Sequence, residues 1–284
     1  MDDACIFPRE ILPQPPEIVS EVYGFNLNVR IYNSYAALTT SEMAYGVDEL
    51  FDWDQQSRML DSCLQRCKAV LSSVPPVLQV HNNKDKQNGG IPQRRQPYYP
   101  PMPEYMGMRD PTLSSSASPD SQGARRTAQY EIQKANIYAS HLSIRSYLVE
   151  KYFTLLDKSN SARAQHALQS SPGAPATGLD RLVSSSTIEA EELEKRMTEE
   201  REQVVKDLLV LLGSIDMVNM EPSGESLTGK IRSIASTLLE IPKERKGSVA
   251  LQHQDYLYKF LDILSKLERN TPEGSDPNAG PVSC

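Results

Sequence analysis

Apolar side chains recur three and four residues apart over long stretches of this chain, and no run alternates apolar with polar for the length of a useful strand. Residues three and four apart share one face of an α-helix, so this spacing describes helices that each bury one side. The strongest instance is Ala135, Ile137, Tyr138, Leu142, Arg145, Leu148, Val149, Tyr152, Phe153 and Leu156. A second stripe starts at Leu193 and Met197 and widens into Val204, Val205, Leu208, Leu211, Leu212, Ile215 and Val218. No repeat of fixed period is present. The expected fold is all-α.

Proline, glycine and serine divide these helical segments and set the expected organisation. Residues 1–76 form a helical segment. Its opening, Phe7 to Pro16, is extended, because Pro8, Pro13, Pro15 and Pro16 deny it helix hydrogen bonds. Val29, Tyr32, Ala36 and Ala37 then follow helical spacing. Asp52 or Asp54 can cap the next helix, whose stripe is Met59, Leu60, Cys63, Leu64, Cys67, Val70 and Leu71, and Pro75-Pro76 stops it. Residues 77–124 lack apolar periodicity and read as a disordered linker, since little burial is on offer to offset the entropy of ordering them. Residues 125–158 are a helix, and 159–185 a second disordered linker.

Residues 186–270 are expected to form a C-terminal three-helix bundle. Ser186 with Glu189 has the form of a capping box, and the first helix runs on until Pro222 and Gly224. Ser226 can cap the second, which presents Leu227, Ile231, Ile234, Ala235 and Leu238. Pro242 and Gly247 break the chain again before Val249, Tyr256, Leu257, Phe260, Leu261, Leu264 and Leu267. In this reading Leu261 is buried against Leu208, Leu211, Leu212 and Ile215, whereas Glu200 lies on the surface. Residues 271–284 are a disordered tail.

The chain has 284 residues, 39% of them hydrophobic, 20 prolines and a formal net charge of -7. An acidic chain is a poor direct partner for DNA, whose phosphates are neutralised by Lys and Arg. Met1-Asp2-Asp3 does not resemble the start of a secretion signal, and no apolar run is long enough to span a membrane. Four scattered cysteines, Cys5, Cys63, Cys67 and Cys284, do not form a disulfide framework. Cys63 and Cys67 share a helical face but lack two further ligands nearby, so they read as core rather than as a metal site. His81, His141, His166 and His253 fall in no catalytic motif, and Gly229-Lys230 lacks the spacing of a phosphate loop. Asp48-Glu49-Leu50-Phe51-Asp52-Trp53-Asp54 mixes acids with large apolar residues in the manner of an activation element, but reads first as a helix end with Phe51 and Trp53 buried. Tyr98-Tyr99-Pro100-Pro101 reads first as a tyrosine-bearing stretch of the disordered linker, with docking on a partner as an extended segment the alternative. No catalytic, cofactor-binding or metal-binding residue is assigned, and the chain is expected not to be an enzyme.

Several stretches, taken together and in order, are similar to the C-terminal part of fungal binuclear zinc-cluster transcription factors. They are Phe7-Pro8 through Pro15-Pro16, Glu42-Met43-Ala44-Tyr45-Gly46 leading into Phe51-Asp52-Trp53, and Gln129-Tyr130-Glu131-Ile132-Gln133-Lys134-Ala135-Asn136-Ile137-Tyr138. To these add Val149-Glu150-Lys151-Tyr152, Asp207-Leu208-Leu209, Lys230 to Leu239 and Tyr258 to Arg269. The resemblance implies the regulatory helical portion of such a factor, acting in RNA polymerase II transcription in the nucleus. In the family an N-terminal six-cysteine zinc cluster reads DNA, and this sequence carries no such cluster. Zinc is therefore expected only in that missing module, and DNA contact only through it. The expected partners are proteins of the transcription machinery or a second copy of the chain, with no membrane. The alternative is a free-standing helical adaptor with no DNA role.

Overall fold

The computed structural model describes residues 19–20, 22–45, 53–80, 119–169, 180–237 and 249–270. Among them no strand occurs, and the fold is all-α. The helices are α1 (Val22–Asn33), α2 (Ala36–Tyr45), α3 (Trp53–Val70), α4 (Pro119–Gln169), α5 (Asp180–Ser214), the single turn α6 (Met217–Met220), α7 (Gly224–Thr237) and α8 (Val249–Asn270).

α4 organises the molecule. Its 51 residues span about 75 Å at 1.5 Å per residue. Between Ala135 and Leu155 it is buried on most sides: Ala135, Ile137, Ala139, Leu142, Ile144, Leu148, Val149, Tyr152, Phe153 and Leu155 are all in the core. A helix apolar around most of its circumference belongs in the middle of a fold. α1 and α3 pack on it in one cluster, with Leu27, Ile31, Leu60, Cys63, Leu64, Cys67 and, from the middle of α5, Leu193 and Met197. A second cluster joins Ala135, Ala139 and Leu142 of α4 to Val204, Val205, Leu208, Leu211 and Leu212 of α5, Leu227, Ile231 and Ile234 of α7, and Phe260, Leu264 and Leu267 of α8. The C-terminal helices α5, α7 and α8 do pack on one another, with α4 laid against them.

Local chemistry fixes several ends. The Ser20 hydroxyl accepts from the Val22 amide at 3.4 Å, and the Tyr23 amide donates to the Ser20 carbonyl at 2.9 Å, which starts α1. Ser34 closes α1 by donating its hydroxyl to the Ile31 carbonyl at 2.6 Å. α3 ends at Val70 in a short 3-10 turn before Pro75, because Pro76 can open a turn but cannot continue a helix. Gly224 opens α7 at φ 41°, a left-handed conformation that a side chain would strain.

Several boundaries depart from the periodicity. Residues 77–80 do not belong to a linker: Pro76–Leu78 form a 3-10 turn, and Leu78 is fully buried against α4 and α3. Periodicity cannot register one buried anchor in a proline-rich stretch. α4 extends beyond 125–158 at both ends, to Pro119 and Gln169, and α5 begins at Asp180, which places Ser186 inside a helix rather than at its cap. Polar, alanine-rich turns carry helix propensity without an apolar stripe, so the stripe underestimates their length. α5 stops at Ser214 rather than running to Asn219, and Ser226 is the third residue of α7 rather than its cap. What remains of the two linkers, and the tail 271–284, lies outside the described residues, as do Phe7 to Pro16, Asp48 to Asp52 and Tyr98 to Pro101.

Two side-chain placements are also corrected. Leu261 is 52% exposed on the outer side of α8, while Phe260, Leu264 and Leu267 one turn apart hold the core. Glu200 is 6% exposed and sits inside the molecule. In α1 the inward residues are Gly24, Leu27 and Ile31, and Val29 and Tyr32 point outward.

Candidate functional site

Two features stand out from the apolar packing: a buried charge cluster where α3, α4 and α5 meet, and an apolar stripe on the outer face of α1.

The cluster is centred on Arg145 of α4, which falls within the helix's own apolar stripe and is 6% exposed. Its Nε donates to Glu200 Oε1 at 2.5 Å, and its Nη1 donates to Asp207 Oδ2 at 2.8 Å. Lys68 of α3 donates from Nζ to the other Glu200 oxygen at 2.6 Å. Gln203 donates to the second Asp207 oxygen at 2.7 Å. Two cations thus face two carboxylates, and all four carboxylate oxygens accept a hydrogen bond. Burial alone would raise the Glu200 carboxyl, but the Arg145 guanidinium and the Lys68 ammonium outweigh it and hold the group below its ordinary value. One turn away on α4, His141 approaches the Cys67 carbonyl oxygen with Nε2 at 3.2 Å, a bond the neutral ring makes as donor. Burial, reinforced by the Arg145 charge, pushes His141 down to about 4, so it is neutral near pH 7. Burial pushes the Cys67 thiol up to about 11, which leaves it protonated and a poor nucleophile.

This arrangement is suited to holding helices in register rather than to reacting. Each charge is spent on a partner, and Arg145 ties α4 to α5 while Lys68 ties α3 to the same carboxylate. A second pair supports it along the helices: Arg201 donates from Nε to Glu150 at 2.7 Å and lies over the Phe153 ring at 4.2 Å. Lys151 pairs with Glu42 and so ties α2 to α4.

Cys63 and Cys67 are both fully buried, in keeping with their reading as core. Among the described residues no group of three or more His, Cys, Asp or Glu side chains could hold a metal ion. His141 is in the core; the side chains of His81, His166 and His253 lie outside the described residues. Trp53 packs partly buried on Tyr152, ring centroids 5.4 Å apart, whereas Asp54 is exposed. Lys230 donates to the Ser140 hydroxyl at 3.0 Å and anchors α7 on α4. The charge cluster was missed by the sequence reading, although a signal existed. Arg145 breaks an apolar stripe, and Glu200 falls between Met197 and Val204 at helical spacing.

The outer face of α1 carries Val22, Phe25, Val29 and Tyr32, exposed by 48%, 67%, 40% and 43%. Their spacing of three, four and three places them in one line, opposite the buried Gly24, Leu27 and Ile31. Tyr32 leads through Tyr35 to Tyr147 of α4, with ring centroids 6.4 and 5.7 Å apart, which widens the patch. Among the described residues no helix is long and apolar enough to cross a membrane. No family model matches the sequence, and no curated protein or solved structure matches the chain.

Proposed function

We propose that this chain is the regulatory helical portion of a fungal zinc-cluster transcription factor, acting in RNA polymerase II transcription in the nucleus through protein partners. The observation that supports an interaction role is the line Val22, Phe25, Val29 and Tyr32, left facing solvent on a helix whose other side is already packed. A helix apolar on two opposite sides suits burial on both, and the first core uses one side. The transcription setting rests on the resemblance of the quoted stretches to that family. In this reading the chain carries out no chemistry, holds no zinc and meets DNA only through a separate zinc-cluster module. The net charge of -7 favours a second reading, a free-standing helical adaptor without a DNA role.

Tethering the intact chain to an unrelated DNA-binding domain upstream of a reporter gene in a fungal host separates the two. The transcriptional reading expects reporter transcription to move, up or down, relative to the domain alone. Unchanged transcription with the fusion folded and nuclear contradicts it and leaves the adaptor.

A further inference from the structure

We infer that Lys230 of α7 is a modification site: its side-chain amine accepts an acyl group from an acyl thioester of coenzyme A, and the fold accommodates the product.

The surroundings of this lysine single it out. Lys230 lies one helical turn from Leu227 and from Ile234, both in the second core cluster, so its stem follows the packed side of α7. Its Nζ donates at 3.0 Å to the hydroxyl of Ser140 on α4, and Ser140 is 2% exposed. Among the described residues its partner is this neutral hydroxyl and no carboxylate. Two other partly buried lysines differ: Lys134 pairs with Glu131 at 2.7 Å and Lys151 pairs with Glu42, each with 15% of its side chain exposed. An ammonium ion in apolar surroundings is poorly solvated, and without a counter-charge the neutral amine gains. Burial accordingly holds the Lys230 amine below its ordinary value. The neutral amine has the lone pair that attacks a carbonyl, so Lys230 is the better nucleophile of the three.

The nitrogen lone pair attacks the thioester carbonyl carbon. The N–C bond forms as the C–S bond breaks, and the sulfur leaves as a thiol carrying the proton that the amine gives up. No oxidant or reductant takes part. The product keeps one N–H, which can go on donating to Ser140, and it loses the charge that no carboxylate balances. At Lys134 or Lys151 the same step would break an ion pair. The approach is open: Lys230 is only partly buried, and a side chain added at the neighbouring Gly229 would meet nothing within 4 Å.

Incubation of the intact chain with acetyl-coenzyme A, each lysine followed by peptide mass spectrometry, is the test. In the folded chain Lys230 should be acetylated at least about threefold faster than the exposed Lys195 and Lys259, with Lys134 and Lys151 slower again. In urea, where the fold is gone, the rates should converge. The Lys230→Arg variant should fold as wild type does and lose this modification alone. Chain acetylated at Lys230 should melt no lower than unmodified chain. Lys230 reacting no faster than Lys195 and Lys259 in the folded chain overturns the inference. A preference that persists in urea also overturns it, since the local sequence rather than the fold then sets the rate. So does a fall in melting temperature on acetylation, because the contact with Ser140 then depends on the charge.

Discussion

Replacing Glu200 by glutamine changes little in shape and removes one negative charge from a buried cluster of four. The carboxylate receives Arg145 Nε at 2.5 Å and Lys68 Nζ at 2.6 Å. Lys68 is 43% exposed and can turn to water, so its bond accounts for at most about 1 kcal/mol. Arg145 cannot turn away: its side chain is 7% exposed and fixed between α4 and α5. Breaking a buried ion pair from one side costs about 3–5 kcal/mol, chiefly through the charge left behind. Asp207 stays on Arg145 at 2.8 Å, and the new amide oxygen can still accept one bond, which lowers the expected loss to about 2–3 kcal/mol. For a chain of this size that is a fall in melting temperature of about 5–10 °C. Urea unfolding followed by circular dichroism at pH 7, with Arg145→Gln and the double variant completing a cycle, measures it. A stability within about 0.5 kcal/mol of wild type, as for an ordinary surface change, would refute the reasoning and return Glu200 to the surface.

Phe260→Ala opens a cavity in the second cluster and should cost about 3–5 kcal/mol, whereas Leu261→Asp next to it should stay within about 0.5 kcal/mol, both read from urea midpoints. Stability should fall as pH drops from 6.5 toward about 4, because the unfolded chain takes up a proton that buried His141 refuses, and His141→Gln should flatten that part of the profile. The Glu200 stabilisation adds to this at the acid end: it is fully present above the ordinary carboxylate range and disappears as pH falls through the lowered native value. The Tyr152 hydroxyl is buried with no hydrogen-bond partner among the described residues, so Tyr152→Phe should leave the melting temperature unchanged or raise it; a clear fall would reveal a partner.

Helix existence was legible from spacing, as the cores of α3, α4, α5, α7 and α8 show. The single buried face was not always legible, for a physical reason. α1 is apolar on two opposite sides, and periodicity alone does not say which side meets α4; Val29 and Tyr32 satisfy the pattern as well as Leu27 and Ile31 do. The same ambiguity put Leu261 in the core, since Phe260, Leu261 and Leu264 all lie within one turn and α5 is reached by Phe260 and Leu264. Glu200 was misplaced because charged side chains are rarely buried, and only its partners, 55 positions away at Arg145 and 132 away at Lys68, make burial tolerable. Helix ends lay beyond the stripes wherever polar turns, such as those from Ser159 to Gln169, continue a helix without an apolar stripe in the sequence. Of the two parts of the candidate site, the α1 stripe is visible in the sequence once the inward face is known; the charge cluster exists only in three dimensions.

The most direct test of a regulatory role exerted through the outer face of α1 is the reporter output of the tethered chain with and without Phe25→Glu/Val29→Glu, taken together with the melting temperature of each protein. Lost or strongly reduced regulation at unchanged melting is the predicted result, since both positions are exposed and leave the core intact. Full regulation by a stably folded double variant would contradict it and move the interaction surface elsewhere on the molecule.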